Sequence, residues 1–454
     1  MADSQDIEIG SSGSLYQPFF HKDEKQQNSH DNGNLFMVIF CTFVAVMGSF
    51  EFGSSIGYSS PTQQGIMEEL GMSSEEYSMF GSILTIGAMV GSISCGRAAD
   101  LIGRKGTMKM SSIISIAGWL IIYLSLGPLS LDVGRFLTGY GIGVNSYVVP
   151  VFIAEITPTH LRGALLTVHQ VAISTGLLVA YTVGAFVSWR TLALTGMIPC
   201  AVMILGLYFI PDSPRWLAMV GCQAEFNAAL QKLRGDTADV SREEAAIEES
   251  LVTLQHLPKA TVLDLFLERN LRLVIIGVGL MVFQQFSGYN GVVFYANQIF
   301  TSAGVPPNVG SILYACLQII VLLLGAVIID KAGRRPLLMI SASGMLLGSL
   351  LTGASFGLKI YMGSYCLGLG GIPWIVMSEI FPLHIKGIAG SLVTLVSWGG
   401  SWVVSFTFSF LMDWNSYGTF LMFAIFCVVA IVFIWKLVPE TKGRTLEEIQ
   451  ASME

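Results

Sequence analysis

Only 12% of the 454 residues are charged, against roughly 25% in ordinary soluble domains. With 53% hydrophobic residues and a mean hydropathy of +0.65, the apolar residues are too many for a water-soluble core to hide. Cysteine is sparse too. Six of the seven (Cys41, Cys95, Cys200, Cys316, Cys366, Cys427) fall in apolar runs and Cys222 in a polar loop, which excludes a disulfide framework and a metal-ligand spacing. Met1 to Asn34 has no apolar centre, so it is not a cleaved leader, and residues 1–34 are expected to form a disordered cytosolic tail. No nucleophile–base pair, metal cluster or phosphate loop stands in the chain, so neither an enzyme, a cofactor nor a nucleic-acid partner is expected.

What fills the sequence instead is a dozen apolar stretches, each near the roughly 20 residues that cross a bilayer. They run near Leu35–Gly57, Tyr77–Cys95, Thr107–Leu126, Leu131–Val151, Leu165–Phe186 and Thr191–Ile210. A second six follow near Leu271–Phe300, Gly310–Ile329, Leu337–Leu358, Ile360–Met377, Ser391–Leu411 and Gly418–Leu437. The 49 glycines suit helices that approach closely in lipid. With both termini cytosolic, only Arg135, Arg190 and Lys359 of the 24 basic residues fall on the far half, as the positive-inside rule requires. The expected fold is therefore an all-α membrane protein. Six-helix bundles at 35–210 and 269–438 flank a helical linker at 211–268, and 439–454 form a cytosolic tail. In the linker, Glu225–Arg234 and Ser241–Gln255 have amphipathic helical patterns, the second opened by a Ser-x-x-Glu capping box at Ser241 and Glu244. This linker either holds the halves in register or is passively solvated.

One basic signature occurs twice, as Gly96-Arg97-Ala98-Ala99-Asp100-Leu101-Ile102-Gly103-Arg104-Lys105 and as Asp330-Lys331-Ala332-Gly333-Arg334-Arg335. Its glycine permits a tight turn between helices, and its basic pair snorkels at the interface. Each half also carries an acid about one helix pair later, Glu155 and Glu379, with Arg162 and Lys386 close behind. Like halves with like loops are how alternating-access carriers are built. An Arg–carboxylate network over Arg97, Asp100, Arg104, Glu155, Arg162, Arg215, Asp330, Arg334, Arg335, Glu379 and Glu440 would lock one side in one conformation and release it in the other. Topology anchoring alone would explain a single set; two sets in parallel order favour a gate. Gly139-x-Gly141-x-Gly143 looks like a dinucleotide fingerprint, but inside an apolar helix it is expected to serve close packing.

Together with Pro211-Asp212-Ser213-Pro214-Arg215-Trp216-Leu217, Gln284-Gln285-Phe286-Ser287-Gly288-Tyr289-Asn290 and Pro439-Glu440-Thr441-Lys442-Gly443, these motifs resemble the sugar porter family of the major facilitator superfamily. Its plant early-responsive-to-dehydration branch is the most similar, on Ser146–Pro158 and Gly390–Trp398. A sugar site needs neutral amides and hydroxyls beside an aromatic face, and polar groups inside a membrane usually serve a cavity. Gln170, Gln284, Gln285, Asn290 and Gln318 are the amide candidates, and Trp374 and Trp398 the aromatic ones. All but Gln318 match sugar-contacting positions of the family; Gln318 stands where relatives often carry Asn. Interhelical bonding would explain any one of these amides, whereas five in neighbouring spans favour a site.

The resemblance also implies a buried Arg at Arg135, and Asp132 lies one turn away as its candidate ion-pair partner. Proton-coupled members carry an Asp in the first span where this chain has Ser55, and an acid in the tenth where it has Cys366. Serine exchanges no proton near neutrality, so the expectation is facilitated diffusion, or weak coupling to protons through Glu51, Asp132 or Arg135. From Arg104 to Glu155 is 51 residues and from Arg334 to Glu379 only 45, so the outer hairpin near 357–360 is expected to be shortened. The expected activity is monosaccharide transport, hexose before pentose or polyol. The alternatives are a transporter-like sugar sensor, against which the short tails argue, and a transport-impaired shortened form. The Leu15–Phe20 patch points to a vacuolar address, with the plasma membrane the other candidate.

Overall fold

The computed structural model describes residues 35–158, 161–235, 238–256, 261–302, 304–351, 355–382 and 385–442. The 1–34 tail with its Leu15–Phe20 patch and residues 443–454 lie outside the described residues. Six long helices form the first bundle: α1 (Leu35–Leu70), α2 (Ser74–Leu101), α3 (Gly103–Tyr123), α4 (Pro128–Ile156), α5 (Arg162–Gly184) and α6 (Trp189–Leu207). The linker holds α7 (Pro214–Met219), α8 (Gln223–Arg234), α9 (Ser241–His256) and a 3-10 turn at Val262–Phe266. The second bundle is more broken, with α10 (Glu268–Phe286), α11 (Tyr289–Phe294), α12 (Ala296–Ser302), α13 (Pro307–Ala332), α14 (Arg334–Leu350), α15 (Ser355–Leu367), α16 (Ile372–Ile380) and α17 (Lys386–Leu437).

Among the described residues, ten helices are long and apolar enough to cross a membrane, and two details bring the crossings among those residues to twelve. The 52-residue α17 is interrupted at Asn415, whose φ of −168° and ψ of 108° are extended. Its side chain accepts the Gly418 amide at 2.9 Å. Asn415 is therefore the N-cap of a separate twelfth span, at the third-residue spacing a cap requires. The ninth span, α14, is 17 residues and is short for a core of about 30 Å at 1.5 Å per residue. α14 ends at Leu350 and α15 begins at Ser355. Residues 357–360, where the shortened hairpin is expected, are therefore already helical, and 352–354 lie outside the described residues.

Small residues set the packing. A Cβ at Gly139 would lie 2.1 Å from the Leu84 carbonyl oxygen and one at Gly143 2.0 Å from that of Ala88. The glycine run is therefore the seam between α2 and α4. Between the halves, α2 lies along α17, α5 along α13 and α1 against α11.

The linker is docked rather than passive. Leu217, Phe226, Ala229 and Leu230 make their own buried cluster. Arg234 donates to the Ile156 carbonyl at 3.0 Å, where it receives the end of α4, and pairs with Glu243 at 2.6 Å. The expected capping box at Ser241 is replaced by Asp239, whose Oδ1 takes the Ser241 amide at 3.1 Å.

Candidate substrate site

The seventh span breaks at Ser287–Gly288, where Gly288 has φ +93°. The tenth breaks at Gly368–Gly371, between α15 and α16. These breaks bring amides and hydroxyls together at mid-span. Asn290 donates to Gln285 Oε1 at 2.5 Å and to Ser401 Oγ at 2.8 Å. Gln285 in turn donates to Ser397 Oγ at 3.0 Å and to Gln284 Oε1 at 3.3 Å. At Gly400, between the two serines, an added Cβ would stand 3.0 Å from that of Gln285, so Gln285 would have to give way by a few tenths of an ångström.

Gln284 has a different use. Both its amide hydrogens go to backbone carbonyls exposed by the tenth-span break, Leu369 at 2.7 Å and Gly370 at 2.9 Å. In this conformation Gln284 is interhelical glue, with its Oε1 already taken by Gln285. Gln318 stands on α13. Its amide donates to Tyr289 OH at 3.1 Å and across the halves to Ser174 at 3.3 Å, while its Oε1 is buried with no partner. Gln170 is exposed, one turn from Ser174 on the stripe of α5 that faces α13. Trp398 meets Phe52 of the first half, ring centroids 6.0 Å apart. Trp374 is half-buried against the main apolar cluster. The sequence reading missed Ser397, Ser401, Ser174 and Tyr289, and the four-residue spacing of Ser397 and Ser401 was the available signal.

Arg135 is fully buried and makes no ion pair with Asp132, contrary to expectation. It donates to the Ser55 carbonyl at 2.8 Å and to Ser59 Oγ, and lies 5.0 Å from the Phe80 ring centroid and 5.6 Å from that of Tyr58. A central Arg costs roughly 2.5–3.5 kcal/mol. Two charge-assisted bonds at about 1.5–3 kcal/mol each offset that without a carboxylate. Glu51, also fully buried, accepts from Ser55 Oγ at 3.0 Å, and its second oxygen has no partner. Ser55 therefore bridges the two, hydroxyl to Glu51 and carbonyl to Arg135.

At the end that carries the basic loops, both halves build one latch. Glu155 receives Arg104 twice at 2.8 Å and the Ser213 hydroxyl at 2.6 Å. Glu379 receives Arg334 at 3.0 Å and the Thr441 hydroxyl at 2.5 Å. The residue before each hydroxyl then caps the helix that begins at the basic pair. Asp212 takes the Lys105 amide at 3.2 Å, and Glu440 takes those of Arg334 at 3.0 Å and Arg335 at 3.2 Å. Gly103 (φ +77°) and Gly333 (φ +90°) make the turns that allow this. Burial raises the Asp212 carboxyl against the amides of Ser213 and Lys105. Burial also pushes Glu440 up, but the amides of Lys442, Arg334, Arg335 and Thr441 outweigh it and hold the group below the usual range.

Asp100 adds a 3.7 Å contact to Arg104, and Arg335 donates to the Trp435 carbonyl at 2.5 Å. Arg97, Arg162 and Arg215 take no ion pair among the described residues, and the Asp330 side chain lies outside them. Every ion pair among the described residues stays within its own half or the linker. At the far end the halves touch: the Asn297 amide donates to Ser60 Oγ at 2.9 Å, Gln63 donates to Gln298 at 3.3 Å and Tyr181 to the Val293 carbonyl at 2.7 Å.

The family model described as "Sugar (and other) transporter" matches residues 41–453. The chain belongs to the sugar transporter family. It is 58% identical to the Arabidopsis thaliana sugar transporter ERD6-like 8 over 436 residues, 92% of this chain and 93% of the relative. To ERD6-like 16 of the same plant it is 53% identical, covering 96% and 95%. Among solved structures, the inward-open xylose transporter XylE from E. coli superposes with a TM-score of 0.78 at 26% identity, covering 91% of this chain and 99% of that one. The proton:xylose symporter XylE bound to 6-bromo-6-deoxy-D-glucose gives 0.75 at 26% identity, covering 93% and 100%. This family member is thus an integral, multi-pass membrane transporter with a major facilitator fold, and not an enzyme.

Proposed function

We propose that this sugar transporter family member carries a monosaccharide, hexose in preference to pentose or polyol, by alternating access, either facilitatively or with weak proton coupling. The observation that carries the reading is the network of Gln285, Asn290, Ser397 and Ser401 facing Gln318. It is neutral, rich in both donors and acceptors, and bordered by the Phe52–Trp398 ring pair. A pyranose presents hydroxyls on its rim and C–H bonds on its faces, which that combination suits. Gln170 on α5 and Trp374 on α16 are assigned to the same site, while Gln284 holds the tenth-span break in place. By the bias of Lys and Arg, the basic end and both termini are cytosolic. With the far end joined and the latches confined to their halves, the conformation is inward-facing. Arg97, Arg162 and Arg215 are then free to engage the opposite half when that side closes.

Glu51, bridged to Arg135 through Ser55, is the proton-exchanging group if transport is coupled. Asp132, one turn from Arg135 but not paired with it, is the weaker candidate. Vacuolar and plasma membranes both fit the reading. Uptake of labelled glucose into proteoliposomes, with and without an inward proton gradient, is the test. Saturable uptake that Gln285→Ala weakens about tenfold or more is expected, with any gradient stimulation lost in Glu51→Gln. Binding without uptake would make the chain a sensor, and uptake unchanged by Gln285→Ala would remove the site.

A further inference from the structure

The linker re-enters the second bundle through a short segment with an unusual surface. Within six residues, Val262, Leu263, Phe266 and Leu267 are 62%, 77%, 63% and 52% exposed, while Leu265 between them is 1% exposed. This is a built shape. Asp264 Oδ2 takes the Thr261 amide at 2.6 Å and its hydroxyl at 3.1 Å, closing a capping box at the start of the 3-10 turn. The buried Asn270 then donates to the Asp264 carbonyl at 2.7 Å, fixing the turn to the first coil of α10. Leu265 is thereby held inward and four large apolar side chains outward.

Soluble surfaces seldom carry so dense an exposed apolar patch without a partner. What covers this one is indicated by its continuity with α10. Leu267, Leu271 and Ile275 stand four residues apart and are 52%, 37% and 46% exposed, so they form one stripe. Its upper members belong to a membrane-crossing helix and face lipid. The stripe runs without interruption into Leu267, Phe266 and Leu263. We propose that residues 262–267 form an interfacial anchor, lying in the plane of the leaflet at the basic end, with the apolar side chains sunk about 5–10 Å to the headgroup–acyl boundary. The occupant of the patch is the bilayer itself. The anchor fixes the depth at which α10 starts, so that when the halves rock, movement of the seventh span is taken up beyond Gly288 and Gln285 keeps its level.

This rests on the membrane fold alone and not on the sugar reading, so failure of the transport test leaves it standing. Spin labels on Leu263→Cys and Phe266→Cys in lipid nanodiscs test it. The full chain is used in a Cys222→Ser, Cys316→Ser, Cys366→Ser background, the remaining cysteines being buried. Ala246→Cys on the exposed face of α9 is the aqueous reference and Ile275→Cys the lipid reference, with Val262→Cys in reserve if either variant is not recovered. The expected result is an oxygen-to-nickel collision ratio several-fold above that at 246 and below that at 275. A ratio equal to that at 246 places the segment in water and overturns the proposal. Collisions suppressed for both reagents mean that protein, such as the exposed Val252 side of α9, covers the patch, and overturn it equally.

Discussion

Gln318 donates on both sides of the divide between the halves and has a buried oxygen left over. An unpartnered buried acceptor costs about 1–3 kcal/mol, so the site is poised to receive a hydroxyl there. Gln318→Ala should raise the apparent KM for glucose about 3- to 10-fold while leaving the melting temperature of the empty carrier nearly unchanged. A lowered melting temperature with unaltered KM would make Gln318 an interhelical strut instead. The amide residues were legible in the sequence because amides are rare in apolar runs. Their division of labour was not. Gln284 and Gln285 are neighbours with the same chemistry, and only the tenth-span break decides that one serves the backbone and the other the site. The Asp132–Arg135 pair failed for a related reason. Spacing along one helix put them on a common face, but Arg135 found the Ser55 carbonyl and Ser59 across the helix interface.

Among the elements, the paired latches are the most informative. Motif order alone put Arg104, Glu155, Arg334 and Glu379 in one Arg–carboxylate network without saying which pairs with which. The hydroxyls of Ser213 and Thr441 and the caps from Asp212 and Glu440 needed coordinates, because they come from segments 58 and 62 residues beyond their acids. The two caps differ in a way that acid should expose. Glu440 titrates below its ordinary range, so its contribution is complete above that range and is lost as pH falls through the depressed value. Asp212 is raised, so protonation on acidification relieves a buried charge. Glu440→Gln should therefore flatten the fall in melting temperature of the detergent-solubilised protein as pH drops below about 5, and Asp212→Asn should not. Equal slopes in both variants and the parent would detach the C-terminal latch from any bound proton. Helix ends were the least legible feature, as the moved cap at Asp239 and the start of α15 at Ser355 illustrate: both depend on which carbonyls and side chains the neighbours leave available.

For the molecule as a whole, the twofold repeat was plain from the recurring basic signature, and twelve crossings followed from length and apolarity. Which end is shut in this state was not, since both ends carry suitable partners and only contacts choose. Joining the far end covalently should trap that choice. Bridging a Gln63→Cys, Gln298→Cys pair with a short bis-methanethiosulfonate reagent, whose length replaces that of the two amide side chains that meet at 3.3 Å, is expected to abolish glucose uptake, with recovery on reduction. Full uptake by the demonstrably cross-linked protein would mean that this seam does not open during the cycle.

The second bundle turns back on the far side at Asn415, a single extended residue within α17, so that turn offers hardly any chain for another macromolecule to grasp. Antibody epitopes, glycan acceptors and protease sites introduced to map topology will be tolerated in the linker and hard to accommodate on that face. The acidic helix ends that meet there, with Glu68 and Glu69 closing α1 and Glu75 and Glu76 opening α2, are then a landmark by which the two sides of the membrane can be told apart from outside.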